Sequence, residues 1–162
     1  LTISFEDLPD FSFKWMVYEM DDSSFDLRLE HNRLKIVKVC EDTPNQLVAA
    51  LNNILNEGNW EVALFENNGV DETENYNDFS FDFKESLIVT ATRGDDVFEG
   101  QWAANFNDEL DVLMLEISFG VNEPFVSLNK NWQIIEKNEQ RVEMKYINTE
   151  TEQELRLVFE RS

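Results

Sequence analysis

Residues 79–83 read Phe-Ser-Phe-Asp-Phe. The alternation has a period of two, the period of a strand with one dry face. Phe79, Phe81 and Phe83 therefore point one way, and Ser80 and Asp82 point to water. Three Phe on one face have to be buried, so this strand lines a core. Further strands lie on either side. Trp60–Glu66 precedes it, and Leu87–Arg93 follows after a short turn. Arg93-Gly94-Asp95-Asp96 has turn chemistry. Val97–Asn105 carries Trp102, and Val112–Phe119 points Leu113, Leu115, Ile117 and Phe119 to one side. Trp132–Asn138, Arg141–Asn148 and Glu154–Arg161 complete a series of eight, with Asn138-Glu139-Gln140 as a hairpin loop. Eight short strands joined mainly by tight turns predict an up-and-down antiparallel barrel, whose interior is filled by side chains or shared with a small ligand. A two-sheet sandwich is the competing architecture.

Before these strands, residues 42–56 form the one clear helix. Asp42 or Thr43 can cap it, and Pro44 suits its first turn. Leu47, Leu51, Ile54 and Leu55 make one apolar stripe with Val48 on its shoulder, while Asn45, Asn52, Asn53 and Asn56 fall on the predicted wet side. Gly58 ends it. Such a helix plugs or flanks a sheet.

The first forty residues repeat a later part of the chain. Residues 14–20 read KWMVYEM and residues 131–137 read NWQIIEK. Ile3-Ser4-Phe5 answers Ile117-Ser118-Phe119, Pro9 answers Pro124, and Trp15 answers Trp132. Phe25, Leu27 and Leu29 answer Val142, Met144 and Tyr146, and Leu34 and Ile36 answer Leu155 and Leu157. Four strands are expected here: Leu1–Phe5, Trp15–Met20, Phe25–Leu29 and Arg33–Cys40. Residues 1–41 thus read as the C-terminal half of an earlier copy of the domain at 58–162, with 42–57 as a bridging helix. A four-stranded half-barrel sheet leaves two edges and an apolar face to cover. Either an upstream half in a longer precursor covers it, or a homodimer forms through residues 1–41. Leu1 stands where an initiator Met would, and no signal peptide is visible. Both point to a processed product or an excised fragment.

Composition narrows the function classes. Of 162 residues, 42% are hydrophobic and 12% aromatic, enough for a real core. The formal net charge of −21 argues against nucleic acid, which needs a basic footprint, and against anionic membrane surfaces. It favours cations or a basic partner. No apolar run approaches the length of a membrane-spanning segment. A single Cys rules out an internal disulfide, and Cys40 reads as a small buried hydrophobe.

Catalytic motifs are missing. The only His, His31, lies in a predicted turn. There is no zinc spacing of Cys and His, no glycine-rich phosphate loop and no Gly-x-Ser-x-Gly. The chain therefore reads as non-catalytic, without a cofactor. The acidic loop 71–78, Asp-Glu-Thr-Glu-Asn-Tyr-Asn-Asp, is the best candidate for calcium, although a solvated loop is the plainer reading.

Gly58-Asn59-Trp60 sits where the helix ends and the first barrel strand begins. This Gly-x-Trp arrangement resembles the signature of the lipocalin, or calycin, superfamily. The likeness extends to bacterial lipocalin-like envelope domains through Gly58-Asn59-Trp60-Glu61-Val62, Asp71-Glu72-Thr73, the Phe79–Phe83 strand, Gly100-Gln101-Trp102 and Leu157-Val158-Phe159-Glu160-Arg161. It implies that Trp60 packs at the closed end of the barrel beneath a basic residue. Arg156 and Arg161 are the candidates, and Arg156 faces outward if Leu155 and Leu157 face inward. Gly58, Trp60, Trp102 and Arg161 are the expected structural signature. The resemblance also implies a location in the bacterial envelope (periplasmic, or a surface lipoprotein) or secretion. Three functions follow. One is an interaction or scaffold module. The second is a binding protein for a small apolar ligand, in a cup lined by Phe79, Phe81, Phe83, Leu113, Leu115 and Met144. The third is an enzyme of unrecognised type.

Overall fold

The computed structural model describes residues 42–162 throughout and, before them, three strands at 16–20, 24–29 and 32–37. The chain divides into two compact units, Leu1–Glu41 and Asp42–Ser162.

In the first unit β1 (Met16–Met20), β2 (Ser24–Leu29) and β3 (Asn32–Val37) form an antiparallel sheet in that order. The expected strand Leu1–Phe5, and with it His31 and Cys40, lies outside the described residues.

The second unit opens with α1 (Pro44–Asn56), capped by Thr43. The Gln46 amide donates to Thr43 Oγ1 at 3.4 Å, and Gln46 Oε1 accepts from the Thr43 amide at 2.8 Å. This reciprocal box satisfies two amides that a helix start leaves free. Leu51 and Leu55 are fully buried. Asn52 and Asn56, expected in water, are half-buried with their side-chain oxygens covered, because they flank the buried stripe. The helix packs against β6, β8 and β9 of its own unit, so it belongs to the barrel.

The strands are β4 (Asn59–Asn67), β5 (Val70–Asp71), β6 (Ser80–Phe83), β7 (Ile88–Arg93) and β8 (Asp96–Asn107), then β9 (Val112–Ser118), β10 (Lys130–Lys137), β11 (Arg141–Asn148) and β12 (Gln153–Arg161). They form one nine-stranded antiparallel sheet in the order β12-β11-β10-β9-β8-β7-β6-β4-β5. β12 also pairs with β4 along most of its length, from Leu155↔Asn67 to Arg161↔Trp60. That pairing closes a ring and excludes the sandwich. With the two-residue β5 set aside as a flap on β4, the ring has eight strands. Closure removes the exposed edges that an open sheet would carry.

Bulges tune the inward pattern. Val158 pairs with Leu64 and Phe159 with Val62, which leaves Ala63 as an extra residue in β4. Trp60 and Val62 are buried, and Phe65 is buried three residues later, because the bulge shifts the phase by one. β10 carries a second bulge between Ile134 and Glu136.

β1 carries the same irregularity at the equivalent step. It pairs Val17 with Leu27 and then Glu19 with Asp26, as β10 pairs Ile134 with Met144 and then Glu136 with Glu143. Further on, Leu27 faces Leu34 and Phe25 faces Ile36, while Met144 faces Leu157 and Val142 faces Phe159. By register, Leu34 and Ile36 therefore answer Leu157 and Phe159, two residues beyond the sequence alignment. The offset arises in the turn. Leu29 pairs across to Asn32, but Asn148 reaches only to Gln153.

On the outer face of β11, β12 and β4 runs an ion-pair ladder. Arg141 meets Glu160 at 2.6 Å and Glu143 at 3.0 Å, and Arg156 meets Glu143 at 2.8 Å and Glu66 at 3.4 Å. The Arg141 hydrogen bond, followed by that of Arg156, holds the Glu143 carboxyl below the usual carboxylate range. Among the described residues no helix is long and apolar enough to cross a membrane.

Candidate functional site

The barrel has a base, where the helix lies, and a mouth at the opposite end. At the base Trp60 is fully buried, and its Nε1 donates to the Leu55 carbonyl at 3.1 Å. The Arg161 guanidinium carbon sits 5.2 Å from the Trp60 ring centroid. Arg161 Nη2 donates to the Ile54 carbonyl at 3.1 Å and lies 3.9 Å from the Glu57 carboxylate. One cation thus ties the end of β12 to the last turn of α1, where helix carbonyls lack partners and favour positive charge. Of the two candidate partners for Trp60, Arg161 is the one in contact, while Arg156 belongs to the outer ladder. Gly58 turns the chain from helix to strand at φ +91°, a backbone state that a side chain opposes. Trp102 closes the same end, donating from Nε1 to the Lys84 carbonyl at 3.1 Å with its ring edge-on to Phe83 at 5.6 Å.

From base to mouth the interior holds a column of rings. Trp102 meets Phe83, Phe83 meets Phe159 at 5.5 Å, and Phe159 meets Phe81 at 5.1 Å. Phe81 then meets Phe125 at 5.9 Å, and Phe125 meets Phe79 at 4.9 Å. A second branch runs from Phe125 through Tyr76, Phe65 and Trp132 to Tyr146. Most pairs are edge-to-face, the arrangement that ring quadrupoles prefer. Leu113, Leu115 and Met144 pack in the same cluster. The six residues expected to line a cup are therefore brought together, as parts of a packed core.

Phe125 sits at the mouth. It comes from a short 3-10 turn, Phe125–Leu128, in the loop between β9 and β10. Its ring is fully buried among Tyr76, Phe79, Phe81, Phe98 and Phe119, with Phe119 nearest at 4.7 Å. Hydrogen bonds fix the loop that carries it. Asn129 Oδ1 accepts from the Phe119 amide and Asn129 Nδ2 donates to the Gly120 carbonyl, each at 2.6 Å. Trp132 Nε1 donates to the Leu128 carbonyl at 3.0 Å, and the Tyr76 hydroxyl donates to the Pro124 carbonyl at 3.3 Å. Burial pushes the Tyr76 hydroxyl pKa above the ordinary phenol range, which keeps it a donor.

The loop 71–78 flanks the mouth. Asp71 Oδ1 accepts from the Thr73 hydroxyl at 2.5 Å and from the Thr73 amide at 2.9 Å, and these bonds lower the Asp71 pKa. Thr73 Oγ1 in turn accepts from the Phe65 amide at 2.9 Å. The Asp-x-Thr motif is thus a staple that pins the loop to β4. Among the described residues no group of three or more His, Cys, Asp or Glu is arranged to hold a metal. The Arg93 guanidinium covers the outer side of the Phe79 ring at 4.2 Å.

Chemically, this interior packs and excludes water. Apart from Tyr76 and the tryptophan N–H groups, Thr90 is the buried polar side chain among the described residues. Surface clefts lie elsewhere, on the outside of β7–β9 and between α1 and the β10–β11 turn. Sequence periodicity missed Phe125, Tyr76 and Phe98 as parts of the site. The pair Pro124-Phe125, an aromatic inside a loop of Asn, Gly and Pro, was the available signal. No protein-family model matches the chain, and no curated protein matches it.

Proposed function

We propose that residues 42–162 are a lipocalin-like (calycin) domain acting as a non-catalytic interaction or scaffold module. The observation that carries this reading is Phe125, seated in the mouth where a ligand would enter and joined to rings that run to the base. The Gly58–Trp60–Arg161 arrangement at the base supports the family assignment. With that resemblance goes a location in the bacterial envelope, or secretion. Residues 1–41 are, on this reading, the C-terminal half of a first copy, supported by the shared bulge and register of β1–β2 and β10–β11. Either an upstream half in a longer precursor or the half-sheet of a second chain would then cover it. A strictly monomeric species at micromolar concentration in light scattering would sink the pairing of two chains.

The second reading, a small apolar ligand inside the barrel, draws on the plug being carried by a loop and not by a strand. Titration with 1-anilinonaphthalene-8-sulfonate and with a fluorescent fatty acid separates the two. The scaffold reading expects no saturable binding in the micromolar range. Saturable one-to-one binding with quenching of tryptophan fluorescence would establish the ligand reading in its place.

A further inference from the structure

Two clefts meet on the outside of the barrel where β8 passes from β7 to β9. β8 pairs with β7 up to Gln101 and with β9 from Gln101 onward. One cleft, of about 380 Å³, includes Leu87, Ile88, Gln101, Ala103 and Glu116 in its lining. The other, of about 430 Å³, includes Ile88, Glu99 and Gln101. They share Ile88, Gln101 and Ser118, so they form one groove.

The groove has an apolar floor and an acidic rim. Ile88 and Ala103 are half-buried, and Leu87 stands 49% exposed above them. Leu87 also has φ +64°, a left-handed backbone that a leucine resists. Leu87 takes that backbone in the tight turn from β6 to β7, and its exposed side chain extends the apolar lining of the groove. Glu99 and Glu116 are exposed, and neither cleft is lined by Lys or Arg. Glu99 precedes Ala103 by four residues on β8, and Ala103 pairs with Glu116. The two carboxylates are thus separated by roughly 14 Å along the strand. An extended chain repeats its facing side chains at the same interval between positions i and i+4.

We propose that this groove docks an extended segment of a partner protein that presents an apolar side chain between two basic ones, at i, i+2 and i+4. The apolar residue meets Leu87, Ile88 and Ala103, and the basic residues meet Glu99 and Glu116. The net charge of −21 steers such a segment to the barrel, and the groove gives it register. The proposal deepens the reading of the domain as an interaction module and rests on it.

The test uses the full chain and a fluorescein-labelled peptide, Gly-Lys-Ser-Leu-Ser-Lys-Gly, in fluorescence polarisation at physiological salt. Saturable binding is expected, weakened about tenfold or more by Glu99→Lys with Glu116→Lys. Glu150→Lys with Glu154→Lys changes net charge equally on the far side of the barrel, and leaves binding within about twofold. Leu87→Asn keeps the charge, suits the left-handed backbone and weakens binding about tenfold with an unchanged thermal midpoint. No saturable binding by the unaltered chain overturns the proposal. So do equal losses in the two double variants, which would mean diffuse attraction to an acidic protein. The dye titration reads the interior and is blind to these variants. Failure here with a dye-free interior sinks the groove alone, whereas saturable dye binding sinks the scaffold reading.

Discussion

Phe125→Ala is the sharpest perturbation available, because one loop residue fills the mouth. Its ring is fully buried and lies 4.7–5.2 Å from the rings of Phe119, Phe79 and Phe98. Truncating a buried Phe costs about 3–5 kcal/mol, the sum of lost transfer energy and the cavity left behind. The upper half of that range applies here, because Phe81 and Phe98 lie on barrel strands and Phe79 and Phe119 directly adjoin them, so the rings cannot readily collapse inward. For a unit of this size the loss corresponds to a fall in Tm of roughly 10–25 °C. Thermal and urea unfolding followed by circular dichroism measure it. Val126→Ala, one residue along at a site 38% exposed, is the control and should stay within about 0.5 kcal/mol. The Phe125 variant should also gain saturable binding of an apolar dye, since dry apolar cavities accept small hydrophobes. A loss below about 1 kcal/mol with no gain of dye binding would refute the plug, since truncating a seated ring cannot be that cheap.

Four further outcomes are expected. A Cβ on Gly100 would lie 2.6 Å from the Ser118 carbonyl oxygen, so Gly100→Ala must move backbone and should cost about 1–3 kcal/mol in urea unfolding. Arg161→Gln removes both the cation over Trp60 and the bond to the Ile54 carbonyl, an expected loss of about 1–3 kcal/mol in thermal unfolding. Arg156→Ala, on the exposed ladder, should cost less than about 1 kcal/mol. For Glu143, a folded-state pKa held below its unfolded value gives stability that is present above the unfolded carboxylate range and is lost as pH falls through the folded value. Glu143→Gln should therefore be less stable than the parent near neutral pH and converge with it in acid, as read from urea midpoints across that range.

The strands were legible because their residues alternate. Phe79, Phe81 and Phe83 are buried as the period requires, and so are Leu113, Leu115, Ile117 and Phe119. Closure was legible only as a choice between barrel and sandwich, since the pairing of β12 with β4 joins residues about a hundred apart. The bulge at Ala63 was hidden, because one extra residue leaves the composition of a strand unchanged while it reverses which face is dry. Outward-facing Arg156 followed from its neighbours Leu155 and Leu157, and the contact of Arg161 with Trp60 needed the end of the helix in place. Asn52 and Asn56 look wet because they are polar, yet their side-chain oxygens are covered. Phe125 had no periodic signature at all. Its burial depends on a loop that returns over the mouth, held by Asn129 and Tyr76, and no local pattern encodes that return.

The central claim is that the barrel is filled by its own side chains, with Phe125 as the last of them. Ring-to-ring nuclear Overhauser contacts in phenylalanine-labelled protein, recorded before and after delipidation, test it most directly. The account predicts contacts from Phe125 to Phe119, Phe79 and Phe98 in both samples, with unchanged intensity. Their absence before delipidation, or their appearance only after it, would mean that a bound molecule and not Phe125 occupies the mouth.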